Sequence, residues 1–362
     1  MAADAGAGAL SPAASHSRLD EDDVRVRPGR GTRPRTRRRP AHADASDAFV
    51  TGVDRGRYRC WTGDHTVTAM KARELGRGSI VVGDQVSLAG DISGQPGTLA
   101  RVVRVQPRTS ALRRSAEDDD PAERVIVANA DQLAIVVALA NPPPRPRLID
   151  RFLVAAFDAG LEPLLCLTKA DLASPGEILA VYEPLGIRFV VLSQAAPGSP
   201  PAGPGALALD QVRALLAGRI SVLVGHSGVG KSTLVNALVP AADRAVGSVS
   251  AVTGRGRHTS SSAVALPLPG GGWIIDTPGL RSFGLGHIAP DRVVSAFGEF
   301  ADAIANCPPG CSHLDAAAGC ALDNWIAEHG SAGDAARLDS LRRLLRSREG
   351  LEPADTDTAS DA

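Results

Sequence analysis

Three short strings in this chain carry residue types that, at their spacing, could bind and break a phosphoanhydride. The first is Gly-His-Ser-Gly-Val-Gly-Lys-Ser-Thr, Gly225 to Thr233. It follows the apolar run Ile220–Val224 and precedes Leu234–Leu238, which has helical character. Strand, loop and helix is the setting a phosphate-binding loop requires. Its glycines let backbone N–H groups curl around phosphate oxygens at a helix N-terminus. The candidate phosphate site is therefore Gly225, His226, Ser227, Gly228, Val229, Gly230, Lys231, Ser232 and Thr233. Lys231 would reach the β- and γ-phosphates, and the Ser232 hydroxyl would hold Mg²⁺. Such a loop alone does not separate GTPases from ATPases or small-molecule kinases.

The second string is Asp-Thr-Pro-Gly, Asp276 to Gly279, at the end of the strand Trp273–Ile275. Asp276 would contact Mg²⁺ directly or through water, and the Gly279 N–H would sense the γ-phosphate. Asp and Gly at a strand end also make ordinary turns, so this string gains its meaning from the phosphate loop before it. Between the two lies Thr-Gly-Arg-Gly-Arg-His-Thr-Ser-Ser-Ser, Thr253 to Ser262. A loop in that position should supply a threonine to the metal and γ-phosphate. Thr259 is the candidate, with Ser260 as the alternative.

The third string is Thr168-Lys169-Ala170-Asp171, after the apolar run Pro163–Leu167. An Asn/Thr-Lys-x-Asp element at a strand end reads guanine. The carboxylate accepts from the ring N–H and the exocyclic amine, while the lysine stem lies along the base. Adenine offers neither donor and would leave a buried carboxylate unpaired, which rejects it by about 10⁴-fold or more. Ser193, after the run Phe189–Leu192, could offer a backbone N–H to the guanine oxygen. These base-reading residues precede the phosphate loop, the reverse of the order in Ras-like proteins. A sheet can still gather both, because its site collects strand ends irrespective of chain order.

A different chemistry is encoded later. Cys307, Cys311, His313 and Cys320 place three thiols and one imidazole within fourteen residues. That set suits a closed tetrahedral Zn²⁺ site serving as a staple for a small domain. Cys60 and Cys166 read as plain strand and core residues. With five cysteines in all, so placed, a disulfide scaffold is not expected, and a reducing compartment, the cytoplasm, is.

These residues need elements to hold them. Residues 1–46 are rich in Ala, Gly, Pro, Ser and Arg, with eight arginines and no acid between Arg25 and Arg39, and are expected to form a disordered arm. Residues 47–107 carry short β-rich segments at Phe49–Val53, Arg57–Thr62, Thr66–Ala69, Ser79–Leu88 and Leu99–Val105, suggesting an OB-fold β-barrel. Within it Arg55, Arg57, Arg59, Trp61 and His65 mix cations with a stacking ring, as RNA-binding barrels do. Residues 108–124 read as a linker. Residues 125–286 alternate apolar strands with helix-length segments, which implies a mostly parallel α/β sheet. Residues 287–349 read as a helical zinc-binding domain, and 350–362 as a disordered acidic tail. The longest apolar stretch, Leu133 to Ala140, is too short to cross a membrane. Only Lys71, Lys169 and Lys231 are lysines among 39 Lys and Arg, and two of the three fall in the nucleotide strings. Nothing in the sequence demands a dimer.

Taken together, the chain resembles the circularly permuted bacterial GTPase family called ribosome small subunit-dependent GTPase A. The resemblance runs over roughly residues 47 to 348. It is carried by Arg108 to Arg113, Ala128 to Gln132, the three nucleotide strings, Gly256 to Thr259, Asp276 to Leu285 and the Cys/His cluster. It implies an OB-fold, a permuted GTPase domain and a zinc domain, with GTP hydrolysis to GDP and phosphate stimulated by the small ribosomal subunit during its late maturation. Partners implied are that subunit with its rRNA, and GTP or GDP. The arginine-rich arm is not a core feature of the family. Ras-like enzymes place a water-orienting Gln after the Asp-x-x-Gly string, where this chain has Leu280. Slow intrinsic hydrolysis follows, with Lys231 as one catalytic group and His258 as the candidate substitute that orients water. Two alternative readings are a P-loop ATPase or kinase, against which Thr168 to Asp171 argues, and a non-enzymatic RNA-binding protein, against which intact Lys231, Ser232 and Asp276 argue.

Overall fold

The computed structural model describes residues 42, 44–75, 80–115, 123–193, 204–239, 263–277, 288–314 and 319–349. From His42 onward the chain forms one compact unit. The expectations for the arginine-rich arm, for His258, Thr259 and Gly279, and for the acidic tail lie outside the described residues.

Five strands come first: β1 (Ser46–Asp54), β2 (Arg57–Trp61), β3 (Thr66–Lys71), β4 (Gln85–Gly90) and β5 (Ala100–Val105). They pair in the order β1-β2-β3-β5-β4, and β4 returns to β1, so the sheet closes into a five-stranded barrel. Alternation along each strand turns Val50, Cys60, Val67, Ala69, Val86, Leu88, Ala100 and Val102 into one interior. The run expected to be a strand from Ser79 begins pairing as β4 only at Gln85, because Val81 to Asp84 form a turn. There Asp84 accepts from the Val81 N–H at 2.8 Å. A strand also occupies the segment read as a linker: β6 (Ala111–Ser115) pairs antiparallel with β7 (Glu123–Ala128).

The second sheet segment contains β8 (Gln132–Ala138), β9 (Glu162–Thr168), β10 (Arg188–Val191), β11 (Ile220–Val224), β12 (Val264–Pro267) and β13 (Trp273–Asp276), in the order β10-β9-β8-β11-β13-β12. All of these pairings are parallel except β12 with β13. β8 is buried along its whole length, as a central parallel strand must be. Leu133, Ile135 and Val137 face one helical layer, whereas Ala134, Val136 and Ala138 face the other. The first layer holds α1 (Pro146–Ala159); the second holds α3 (Pro204–Leu216) and α4 (Lys231–Leu238), and α2 (Gly176–Tyr182) lies between β9 and β10 in the chain. Among the described residues four more helices follow: α5 (Pro290–Val294), α6 (Gly298–Ala301), α7 (Ala321–His329) and α8 (Ala332–Glu349). They bury Val293, Phe297, Phe300, Leu341 and Leu344 in the same core as Phe152 and Leu153 of α1.

Two joints fix the barrel to this sheet. At the first, β1 pairs with the edge strand β12 at Gly52 and Val264, and Phe49 packs on Trp273 with ring centroids 4.9 Å apart. At the second, Arg108 donates to the buried Asp84 carboxylate at 2.7 and 2.9 Å. Asn129 donates to the Gly83 carbonyl at 2.9 Å while its own oxygen accepts from the Thr109 N–H at 2.8 Å. Gly83 has φ +94°, and a Cβ there would come 1.9 Å from the Ala128 carbonyl oxygen, so only glycine permits this approach.

Candidate functional site

Because β8, β9, β10, β11 and β13 run parallel, their C-terminal ends share one edge, where open α/β sheets bind ligands. The phosphate loop leaves β11 and the Thr168–Asp171 string leaves β9, on either side of β8. Sixty residues of sequence between Asp171 and Lys231 thus collapse to neighbouring loops.

The phosphate loop takes its shape from three glycines at positive φ: Gly225 (+146°), Gly228 (+78°) and Gly230 (+100°). Gly225 also has no room for a side chain, since a Cβ would meet the Val136 carbonyl oxygen at 2.4 Å. Gly230 caps α4, so Lys231, Ser232 and Thr233 form its first turn. There backbone N–H groups lack helical partners and attract anions. Ser232 and Thr233 are exposed. Lys231 donates to the Gly225 and His226 carbonyls at 2.6 and 2.8 Å, which bends the side chain back across its own loop.

Asp276 stands at the end of β13, one strand from the loop. Thr277 fastens that strand end by donating its hydroxyl hydrogen to the Leu223 carbonyl at 2.9 Å. Burial pushes the Asp276 carboxyl up, and the Lys231 cation pulls it back down. Burial likewise depresses Lys231, with Asp276 opposing. Each charge is thus the other's partial compensation in a site that disfavours both. A carboxylate and a hydroxyl facing a phosphate loop are hard oxygen donors that fit Mg²⁺.

The base string is tied to the phosphate loop by one hydrogen bond. Thr168 Oγ1 donates to the Val229 carbonyl at 2.6 Å, with Val137 O a further 3.3 Å neighbour. Lys169 sits at φ +60° and donates to the Asn141 carbonyl in the loop after β8. The Ala170 N–H donates to the Leu192 carbonyl at 3.1 Å, which brings Ser193 beside the string. Asp171 and Ser193 are exposed at this edge. All described members of the expected nucleotide site therefore share one edge.

The second cluster also assembles. Ligand atoms of Cys307, Cys311, His313 and Cys320 all lie within 4.8 Å of one another. His313 is buried, and its Nε2 meets the Asp291 carboxylate at 2.7 Å. Nδ1 consequently faces the sulfurs, 3.6 Å from Cys307 Sγ. A carboxylate on the far nitrogen is how proteins orient metal-binding histidines. Two backbone N–H groups, of His313 and Ala321, donate to Cys311 and Cys307 sulfurs at 3.4 and 3.3 Å, which fixes where those sulfurs point. Three soft sulfurs and an imidazole are a donor set for Zn²⁺ or a similar soft ion. By contrast, burial pushes the Cys60 and Cys166 thiols up to about 12, so both are inert core groups.

Sequence reasoning missed Asp291, which lies 22 residues from His313 and has no spacing signal. It also missed Thr277 and Arg145. On the barrel, half-buried Trp61 also meets Trp273 in a T-shaped contact at 6.2 Å, which adds it to the joint. His65 is engaged by the Ile92 carbonyl at 2.8 Å and by Asp64. Arg57, one of the expected cations, and Arg101, which sequence reasoning did not name, flank Met70 in one row across β2, β3 and β5, all three exposed.

A sequence model of the family described as RsgA GTPase matches residues 105–286. A small ribosomal subunit biogenesis GTPase RsgA of Pseudomonas aeruginosa (strain LESB58) is 42% identical over 251 residues, which is 67% of this chain and 69% of that protein. Small ribosomal subunit biogenesis GTPase RsgA 1 of Vibrio vulnificus (strain YJ016) is 35% identical over 313 residues, 84% of this chain and 80% of that one. Among solved structures, YjeQ from Thermotoga maritima aligns with a TM-score of 0.60 at 25% identity, covering 84% of this chain and 99% of that chain. YloQ, described as a circularly permuted GTPase, shares the fold with a TM-score of 0.59 at 19% identity, covering 88% of this chain and 100% of that one. With the inverted order of motifs along the chain and the two nucleotide strings meeting at one edge, these matches establish that the chain is a GTP hydrolase belonging to the RsgA GTPase family.

Proposed function

We propose that this enzyme binds the small ribosomal subunit through its rRNA during late maturation and uses GTP hydrolysis to time its own release. The observation that carries the nucleotide half of this reading is the Thr168–Val229 hydrogen bond. It joins the guanine-reading string to the phosphate loop, so one nucleotide can span both. Relatives named as small ribosomal subunit biogenesis GTPases support the ribosomal half.

In this reading Asp171 accepts from the guanine edge, Lys169 lies along the base and Ser193 meets the base oxygen. Residues 225–233 hold the phosphates, with Lys231 neutralising charge that develops on them. Ser232, Thr259 and Asp276 would hold Mg²⁺, which supplies charge neutralisation on the phosphate oxygens. Gly279 would sense the γ-phosphate and His258 would orient the attacking water. Cys307, Cys311, His313 and Cys320 would hold one structural Zn²⁺ that staples the helices α5 to α8. Residues 47–107, 125–286 and 287–349 would act as barrel, GTPase and zinc domains, the barrel offering cations such as Arg57 and Arg101 to RNA phosphates. We place the activity in the cytoplasm, with a monomer as the working unit. Among the described residues no helix is long and apolar enough to cross a membrane.

The test is phosphate release from GTP with and without purified small subunits. Strong stimulation is expected. RNA binding indifferent to nucleotide, with no turnover in either condition, would remove the reading. The His258→Ala variant should lose stimulated turnover while keeping its affinity for GTP, and unchanged turnover would take His258 out of the mechanism.

A further inference from the structure

Arg145 lies in none of the three nucleotide strings, yet its side chain reaches the phosphate loop. Its Nη1 stands 3.0 Å from His226 Nε2, and His226 Nδ1 stands 2.9 Å from the Ser227 carbonyl. Arginine can only donate, so Nε2 is the acceptor and Nδ1 carries the proton that Ser227 receives. The contact thus fixes the tautomer. A trans, planar peptide sets its C=O and N–H in opposite directions. Holding the Ser227 carbonyl to one side therefore turns the Gly228 N–H to the other.

The segment that delivers Arg145 is stiff. Pro142, Pro143, Pro144 and Pro146 surround it, and each proline fixes its own φ. Arg145 itself is extended (φ −115°, ψ 90°), as a residue before proline should be, and it caps α1. Two further contacts seat this segment against the nucleotide loops. Pro142 Cδ lies 3.6 Å from where a Gly228 Cβ would be, and Lys169 donates to the Asn141 carbonyl.

Resting on the nucleotide reading above, we propose that Arg145 is a positioning residue for phosphate binding. It acts through His226 to preset the Ser227–Gly228 peptide, so that the Gly228 N–H joins the anion-binding set before nucleotide arrives. The relay lowers the reorganisation needed on binding and touches no reacting atom. Its loss should weaken ground-state and transition-state binding alike, leaving kcat in place.

The experiment measures GDP affinity by calorimetry in the full-length protein with Mg²⁺, alongside KM and kcat for GTP. Arg145→Ala and His226→Ala should each weaken GDP about fivefold, in line with one lost hydrogen bond; in Arg145→Ala, which lies outside the phosphate loop, KM for GTP should rise similarly while kcat stays within about twofold. The double variant should be no weaker than His226→Ala, because both belong to one relay. His226→Gln, which can still accept from Arg145 and donate to a carbonyl, should restore most of the affinity. Unchanged affinity in Arg145→Ala while Lys231→Ala loses it would overturn the relay and leave the nucleotide site standing. Additive losses in the double variant would also overturn it. Unchanged affinity in both Arg145→Ala and Lys231→Ala would overturn the nucleotide site itself.

Discussion

Thr168 occupies the position where most guanine-reading strings carry asparagine, and its hydroxyl performs the linking task by donating to Val229. Thr168→Val keeps the volume and removes the donor. Nucleotide affinity should fall about fivefold by titration with a fluorescent GDP analogue, because a net hydrogen bond contributes on the order of 1 kcal/mol. An unchanged affinity would mean the two strings are held together by packing alone. At this scale the strings that the fold gathers at one sheet edge were legible, since phosphate and guanine impose fixed side chains at fixed spacing. Asp291 and Thr277 were not legible. They act on groups 22 and 54 residues away in sequence, so only the fold brings them to their partners. The contact of Trp61 was hidden for the same reason: Trp273 arrives from another strand to meet it.

Gly225 shows what an element demands of a residue. Between β11 and α4 the chain must turn at φ +146° with the Val136 carbonyl in the way of any Cβ. Gly225→Ala should abolish GDP binding and lower the melting temperature, as read by calorimetry with and without GDP; full GDP-dependent stabilisation would contradict the geometry. Helices α5 to α8 surround the Cys307–Cys320 cluster, and the proposed staple predicts that they need its metal. Removing metal with a strong chelator should expose the 303–320 region to protease while the residues of β8 to β13 stay protected. Equal protection with and without chelator would mean the cluster needs no metal to hold its shape. Long apolar strands such as β8 and β9 could be read from sequence because both faces are buried. β12 could not, being four residues on an edge and ending in Pro267, and β6 takes its strand form from pairing with β7 across a charged segment.

The molecule as a whole is organised by permutation, since the order of motifs is inverted while the sheet that gathers them is conventional in shape. β12 and β13 form the edge to which the barrel strand β1 attaches, and the helices after residue 288 pack over α1. That packing includes an ion pair, Arg343 with Asp150, whose carboxylate is 1% exposed and lies 3.2 Å from the guanidinium. Burial raises the Asp150 pKa and Arg343 opposes the rise. A carboxyl with a raised folded pKa contributes stability below its unfolded value and loses it as pH climbs through the folded one. Arg343→Ala removes the opposing cation, so its cost, roughly 3–5 kcal/mol, should be larger in urea melts at pH 8 than at pH 5.5. A cost independent of pH would mean that Asp150 does not respond to Arg343. The claim on which the rest depends is that Asp171 and Lys231 serve one guanine nucleotide. Xanthine carries an acceptor where guanine carries its exocyclic amine, so an amide at position 171 should read xanthine while a carboxylate reads guanine. Competition of GDP, XDP and ADP against a bound fluorescent nucleotide tests this directly. The wild-type chain should prefer GDP, and Asp171→Asn should prefer XDP; a variant that keeps its preference for GDP, or a wild-type chain that prefers ADP, would contradict the account.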